Sequence, residues 1–348
     1  MNDLDYGQSM LDEYWNRLQQ NYHSYLPSEP ITMNQQWLGR LLHNVVDYFF
    51  RECIASINIL VTIILVVLLG VFLETIHSTF ERNLVKSISR MVIQWIGIVL
   101  VVDTFSETIQ YAKTAIEGMV QFMQAMIPIY MTMMASLGNV VSVTVMHPIM
   151  VVFIQLIGHL VAFVIFPLFF FSTLLHLVSS LSERYQVTSL ANLLRKIGIT
   201  LLGVTVSVFI GITAAQGATG AAADGVAIKT AKYIVGNFVP VVGRVFSDAT
   251  DTALGASLLI KNSIGLSGLL LLVIYCLFPA LKVAAIALMY ILVAAILQPL
   301  GSNPMVQNLQ MIGKNLIYVF ASMIAVGMMF FFALTVLIAV GNWSYMFR

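Results

Sequence analysis

Long stretches of the chain are apolar and almost free of charge, and this feature limits its possible folds more than any other. Residues 264–300, for example, contain a single charged residue, Lys282. A helix needs about 20 apolar residues to cross the hydrocarbon core of a bilayer. Over the whole chain 9% of the residues are charged, whereas soluble domains carry about 25%. The sequence therefore predicts an all-α polytopic membrane protein.

Seven stretches are long and apolar enough to predict transmembrane helices, and two more are intermediate. The seven comprise residues 54–76, 91–108, 148–177, 197–216, 264–280, 283–300 and 314–341. The intermediate stretches are 124–146 and 237–262. We expect these two to be re-entrant or interfacial helical segments; complete crossing of the membrane is the alternative.

The basic residues predict the orientation in the membrane. They cluster at four places, which are Arg82–Lys86–Arg90, Arg184–Arg195–Lys196, a tight turn at Lys282, and the C-terminal Arg348. The positive-inside rule assigns all four places to the cytoplasmic side. Seven crossings then leave the N-terminus extracytoplasmic and the C-terminus cytoplasmic.

The polarity of the chain divides it into two regions. Residues 1–53 are predicted to be an extracytoplasmic tail, and residues 54–348 a membrane domain. Within the tail, residues 34–51 have apolar positions at helical spacing, which is typical of an amphipathic helix on the membrane surface or the bundle. A helical lead-in to the first span is the other interpretation. The start of the chain lacks a typical signal peptide.

Two segments of the membrane domain resemble each other. Residues 112–139 and 228–256 share Lys-Thr-Ala, then an aromatic residue, a proline, and Ser/Ala-Leu-Gly, once a gap is allowed before the proline. This order suggests a parallel internal repeat of residues 91–177 and 197–280, as many transporters have. Chance similarity between apolar segments is the competing explanation.

One stretch between apolar runs, residues 237–263, is half polar. In a helix that begins near Pro240, the polar residues form a stripe on one face. Charges at membrane depth are costly and normally face water or a bundle interior. The stripe is therefore a candidate pore wall or subunit interface, although pairing of charges on a wet outer surface explains it as well. Its members are Arg244, Asp248, Asp251, Lys261 and Asn262.

Small residues recur at every fourth position of the span before this stretch. Gly203, Ser207, Gly211 and Ala215 are predicted to share one helix face. In lipid, small residues at this spacing let two helices approach closely. The face is therefore a candidate packing surface, either within the chain or between copies.

The sequence carries no motif for an enzyme, a cofactor or a metal. Asp103 and Glu107, at i and i+4, could bind a cation or take up a proton, but a hydrated helix end is the interpretation that we favour. The net charge of +1 gives no reason to expect nucleic acid as a partner. We expect a protein that is not an enzyme and that acts through its helices in the lipid bilayer.

At "NFVPVVGRVFSDATDTALGASLLIKNSIGLSG" the sequence resembles the stage III sporulation protein AE family, and the likeness extends over about residues 54–348. The resemblance implies a component of the complex between mother cell and forespore, in the mother-cell membrane around the forespore. It also implies partners from the stage III sporulation A operon, together with stage II sporulation protein Q. In that family the protein is proposed to be a channel or export gate.

Three functions therefore stay open at this point. The first is an oligomeric channel or gate subunit, with the polar stripe at its outer vestibule. The second is a secondary transporter of a small solute, with its site between the two repeats. The third is a membrane scaffold that docks the ring-forming sporulation proteins.

Overall fold

The computed structural model describes most of the chain as helix. Its backbone description covers residues 3–22, 25–26, 35–78, 83–136, 140–181, 186–238, 242–300 and 304–346. Within these ranges, several side chains lie outside the description, chiefly those of residues 73–91 and 216–263. The described part contains helices and turns and no strand, so the predicted all-α membrane fold is confirmed.

Nine α-helices follow one another in the described part of the chain. They are α1 Asp3–Tyr22, α2 Gln35–Ala55, α3 Ile57–Ser78, α4 Asn83–Ser136, α5 Val140–Leu160, α6 Phe166–Leu181, α7 Thr188–Phe238, α8 Val242–Leu297 and α9 Pro304–Met346. A π-helical turn, Val161–Ile165, joins α5 to α6, and a 3₁₀ turn, Gln298–Leu300, follows α8. The longest, α8, has 56 residues, or about 84 Å at 1.5 Å per residue.

An antiparallel pair formed by α8 and α9 lies at the centre. Gly327 of α9 packs on Cys276 of α8, and Gly313 of α9 packs on Ile291 of α8. The two helices therefore run in opposite directions. Two apolar cores lie along this pair. One surrounds the middle of α8, from Ile264 to Val283, with α1, α2, α4, α5, α6 and the second half of α9, and the other surrounds the end of α8 with α3, α4 and the start of α9.

The predicted turn at Lys282 is wrong, because α8 continues through it without a break. The stretches 264–280 and 283–300 therefore belong to one helix, which also includes Pro279. The Lys282 ammonium lies 3.7 Å from the Glu52 carboxylate and 5.0 Å from the ring centre of Tyr111. Its charge is balanced by neighbouring helices, so the chain need not leave the bundle to hydrate it.

Five helical stretches of the described residues are long and apolar enough to cross a membrane. They are Gly39–Leu69, Val143–Leu181, Thr188–Thr213, Ile264–Leu297 and Pro304–Ala339. Four of them correspond to predicted spans, and Ile264–Leu297 replaces two. The predicted span 91–108 lies within α4, many of whose side chains before Gln94 are outside the description. The number of crossings and the orientation of the termini stay predictions.

The two intermediate stretches do not form helices of their own. Residues 124–146 contain the end of α4 at Ser136 and the beginning of α5, and residues 237–262 contain the end of α7 and the first part of α8. Pro128 lies inside α4, whereas α7 ends before Pro240. The two segments of the suggested repeat thus differ in where their helices end, and the repeat stays a prediction.

The N-terminal region is helical and packs on the bundle. Helix α2 passes into α3 through Ser56, as a lead-in would, and it packs on the bundle through Leu41 and Tyr48, as an amphipathic helix would, so both interpretations of residues 34–51 stay open. The Ser56 amide donates to the Glu52 carbonyl oxygen at 3.1 Å, so the helical hydrogen bonding continues across this point. Helix α1, which the sequence pattern left unassigned, docks through buried side chains of Met10, Leu11, Trp15 and Leu18.

Candidate functional site

The stripe predicted from the sequence lies in the first part of α8, and its side chains are outside the description. The backbone of Arg244, Asp248, Asp251, Lys261 and Asn262 is helical. The structure therefore does not describe the direction of these five side chains. The stripe stays a prediction.

The small-residue face of α7 is exposed in the described bundle. Gly203, Ser207, Gly211 and Ala215 are all exposed. A Cβ atom added at Gly203 or Gly211 would have no described atom within 4 Å outside its own helix. At these two glycines the face therefore does not pack against another described helix of the same chain, and it is open to lipid or to a second molecule.

A polar stripe that the sequence pattern did not delimit runs along α4. Its positions repeat at intervals of three and four residues, so they lie on one face of the helix. All six side chains are exposed, and they rise about 27 Å along the axis at 1.5 Å per residue. They are Asp103, Glu107, Gln110, Thr114, Glu117 and Gln121. The predicted pair of Asp103 and Glu107 is thus the beginning of a longer surface.

This stripe runs beside helices that are apolar enough to cross a membrane. From the neighbouring Lys113, the ammonium nitrogen lies 4.1 Å from the ring centre of Phe163, in the candidate span Val143–Leu181. Tyr111 likewise neighbours Lys282 in the candidate span Ile264–Leu297. Polar and charged groups at this depth normally face water or another protein.

Helix α1 adds a second polar surface beside the stripe. Its inner side packs on α4 and α8, with the Tyr14 ring 5.1 Å from Phe122 and 6.2 Å from Tyr275. Its outer side exposes the polar residues Asp12, Glu13, Asn16, Arg17, Gln20 and Asn21. We call this outer side of α1 and the six-residue stripe of α4 together the polar flank.

Other outward faces of the molecule are apolar. Helices α3, α5 and α7 expose large aliphatic side chains, including Val61 and Leu65, Val152 and Leu156, and Val204 and Val208. Such surfaces are stable in lipid and costly in water. Among the described side chains, the apolar faces are therefore distinct from the polar flank.

A cluster of tyrosines joins α1 to the bundle at Tyr111, near the middle of the α4 stripe. The Tyr22 and Tyr111 hydroxyl oxygens lie 3.3 Å apart, and the Tyr22 ring packs 4.8 Å from Phe278. Burial raises the pKa of Tyr22 above its ordinary value, so its phenol stays neutral. The nearby pair of Glu52 and Lys282 supplies the charges of this cluster.

Polar side chains also connect α6, α7 and α9 inside the bundle. The Asn315 amide donates to the Thr173 hydroxyl at 2.7 Å, and the Asn308 amide donates to Ser180 at 2.8 Å. His176 and Asn192 form a further contact of 3.2 Å. Bonds of this kind stabilise helix association in lipid by about 0.6 kcal/mol on average, so we assign these residues to packing.

Within the described residues, no three His, Cys, Asp or Glu side chains come together as a metal site would require. The two cysteines are separate, with Cys276 buried and Cys53 partly exposed. The polar flank is therefore the surface of the described bundle best suited to meet water or a partner.

The chain is similar to proteins of bacterial sporulation. The profile of the family described as stage III sporulation protein AE matches residues 32–341. The stage III sporulation protein AE of Bacillus subtilis (strain 168) is 38% identical over 350 aligned positions, which cover 97% of this chain and 87% of that protein. No solved structure matches the chain.

Proposed function

This chain belongs to the stage III sporulation protein AE family, and we propose that it is a channel or export-gate subunit between mother cell and forespore. Its family gives it a role in sporulation, and five helices among the described residues are apolar enough for a membrane protein. The proposal also locates the protein in the mother-cell membrane around the forespore. It also adds partners from the stage III sporulation A operon and stage II sporulation protein Q. It includes no catalytic step.

The observation that carries the proposal is the polar flank. A stripe of six exposed polar residues rises about 27 Å, close to the hydrocarbon thickness of about 30 Å. It lies beside helices that are apolar enough to cross the membrane. A lipid-facing position would leave the three carboxylates of Asp103, Glu107 and Glu117 in hydrocarbon, which is costly. Facing a water-filled lumen removes that cost.

One copy of the chain cannot enclose such a lumen on its open side, so the proposal requires several copies. The exposed small-residue face of α7 supports this, because Gly203 and Gly211 leave space for a close helix contact. In a closed ring, each copy contributes its flank to the axis and its apolar faces to lipid or to neighbours. The stripe of α8 from Arg244 to Asn262 would then lie at the outer vestibule.

The test compares two positions at the same depth. In a background with Cys53→Ser and Cys276→Ala, single cysteines are placed at Thr114, the chain neighbour of Lys113, and at Phe163, whose ring centre lies 4.1 Å from the Lys113 ammonium. The protein is reconstituted in lipid nanodiscs and treated with a charged maleimide. A lumen predicts that Thr114→Cys reacts at least about 50-fold faster than Phe163→Cys, because thiolates form and react in water but not in hydrocarbon.

The other outcomes contradict the proposal in different ways. Equal, fast labelling of both positions would place this depth of α4 outside the bilayer and make the stripe a hydrated helix end. Slow labelling of Thr114→Cys would mean that the flank is covered by protein, which favours the membrane scaffold. Leu156→Cys, on the apolar side of α5, serves as a second lipid-facing control.

The stripe of α8 has a test of its own in the sporulating cell. We expect Asp248→Asn together with Asp251→Asn to lower spore yield while the protein stays in the membrane, because the change removes two charges and keeps the side-chain size. Spore counts and membrane immunoblots measure the two quantities. Normal spore yield at normal protein level would remove these residues from the gate.

A further inference from the structure

A groove of about 270 Å³ separates α1 from α4 and α8. Helix α1 forms one wall with Leu18, Asn21 and Tyr22, and α8 contributes Tyr275 and Pro279 at the base. The α4 wall consists of Tyr111, Thr114, Ala115, Glu117, Gly118 and Gln121. The groove opens to the outside, because Asn21 and Glu117 are exposed. Its volume is slightly below that of sites for drug-sized ligands.

The lining combines aromatic rings with one formal charge. Tyr22, Tyr111 and Tyr275 come from three different helices, and Glu117 carries the one formal charge among the described lining residues. Aromatic faces attract cations through their quadrupoles, and a carboxylate adds a direct charge. The remaining polar groups are neutral amides and a hydroxyl, which suit a hydroxyl or amine tail.

The cations near the groove have other described contacts. Lys282 pairs with Glu52 at 3.7 Å, and Arg17 pairs with Glu13 at 2.7 Å. Lys113, one turn before Glu117, places its ammonium 4.1 Å from the ring centre of Phe163. The groove thus has a negative charge at its edge. Because the Lys282 ammonium already lies 5.0 Å from the ring centre of Tyr111, Tyr22 and Tyr275 are the rings that remain for a further cation.

The fit of Tyr275 in the groove depends on Gly118. A Cβ atom at this position would lie 3.1 Å from the Tyr275 ring edge, so any larger residue would press on the ring. Tyr275 also stacks on Phe122, with ring centres 5.9 Å apart. The aromatic base is therefore held in place by its neighbours, which lowers the ordering cost of binding.

We propose that this groove binds a small organic cation, with its ammonium group between Tyr22, Tyr275 and Glu117. The ligand class is a quaternary or primary amine with a short polar tail. The proposal rests on the lining of the groove and is independent of the channel function. A solute path along the flank would still exist if the groove were empty, and the groove would still bind if no lumen formed.

The test uses choline and its neutral carbon isostere, 3,3-dimethyl-1-butanol, which has the same shape without the charge. Isothermal titration of the full chain in nanodiscs should show saturable binding of choline and at least about tenfold weaker binding of the isostere. Equal binding of the two would mean that the groove recognises shape alone. A titration to about 20 mM choline detects dissociation constants in the millimolar range. The absence of binding up to that concentration would overturn the proposal.

The matched variants are Glu117→Gln and Glu107→Gln. Both residues are exposed glutamates on the same face of α4, and Glu117 lines the groove while Glu107 is not among its lining residues. We expect Glu117→Gln to weaken choline binding at least about fivefold and Glu107→Gln to leave it unchanged. Equal weakening in both would indicate general surface attraction, and no weakening in Glu117→Gln would exclude the carboxylate as a ligand.

Discussion

Replacing Gly313 with leucine should strongly destabilise the protein, because it forces α8 and α9 apart. A Cβ atom at position 313 would lie 3.1 Å from the Ala287 carbonyl oxygen and 3.2 Å from the Ile291 backbone nitrogen. Backbone atoms of a helix cannot rotate away as a side chain can. We expect a loss of about 3 kcal/mol in unfolding free energy, the upper end of the usual cost of overpacking, measured by thermal unfolding in detergent.

The control for this variant is Gly203→Leu on α7. That glycine is exposed and has no described atom within 4 Å of its Cβ position, so the same change of size should leave the stability of the detergent-solubilised single chain unchanged. A large loss with Gly203→Leu would show that its face is packed within the chain. Parental stability of Gly313→Leu would contradict the register of α8 against α9.

The sequence was sufficient to predict the class of the fold, because hydropathy and length are local properties of the chain. Predicted spans such as 148–177 and 314–341 coincide with candidate membrane helices of the structure. The continuity of α8 through Lys282 could not be predicted from the sequence. Lys282 looks like a turn residue until Glu52 and Tyr111, from two other helices, are seen beside it. Such partners are tertiary information.

The sequence analysis identified only the first two residues of the polar stripe of α4. Asp103 and Glu107 were recognised as a pair, and the same spacing continues through Gln110, Thr114 and Glu117. A count at intervals of three and four would have found it. The position of α1 beside the stripe is different, since it depends on how a separate helix docks.

Glycines illustrate the same limit for helix packing. The regular spacing from Gly203 to Ala215 predicted a packing face, and that face is exposed in the described chain. Close helix contacts lie instead at glycines such as Gly313 and Gly327 of α9, which face Ile291 and Cys276. These two are too far apart to form a short repeat, so only the structure connects them.

Replacing Trp15 with alanine should release α1 from the bundle. Trp15 is 5% exposed and belongs to the core that α1 shares with α4 and α8. Truncating a buried tryptophan costs about 3–5 kcal/mol, and an isolated helix of 20 residues is only marginally stable in water. We expect trypsin to cleave after Arg17 about 100-fold faster, because cleavage follows the population of the open state, measured by mass spectrometry in nanodiscs.

The matched control is Asn16→Ala, a truncation of the exposed neighbour, which should leave cleavage after Arg17 at the parental rate. Release of α1 also removes Leu18, Asn21 and Tyr22 from the groove, so Trp15→Ala should lose choline binding while Asn16→Ala keeps it. Fast cleavage with intact choline binding would show that α4 and α8 bind the cation without α1. A parental cleavage rate in Trp15→Ala would contradict this prediction. It would mean that Met10, Leu11 and Leu18 hold α1 on the bundle without the tryptophan.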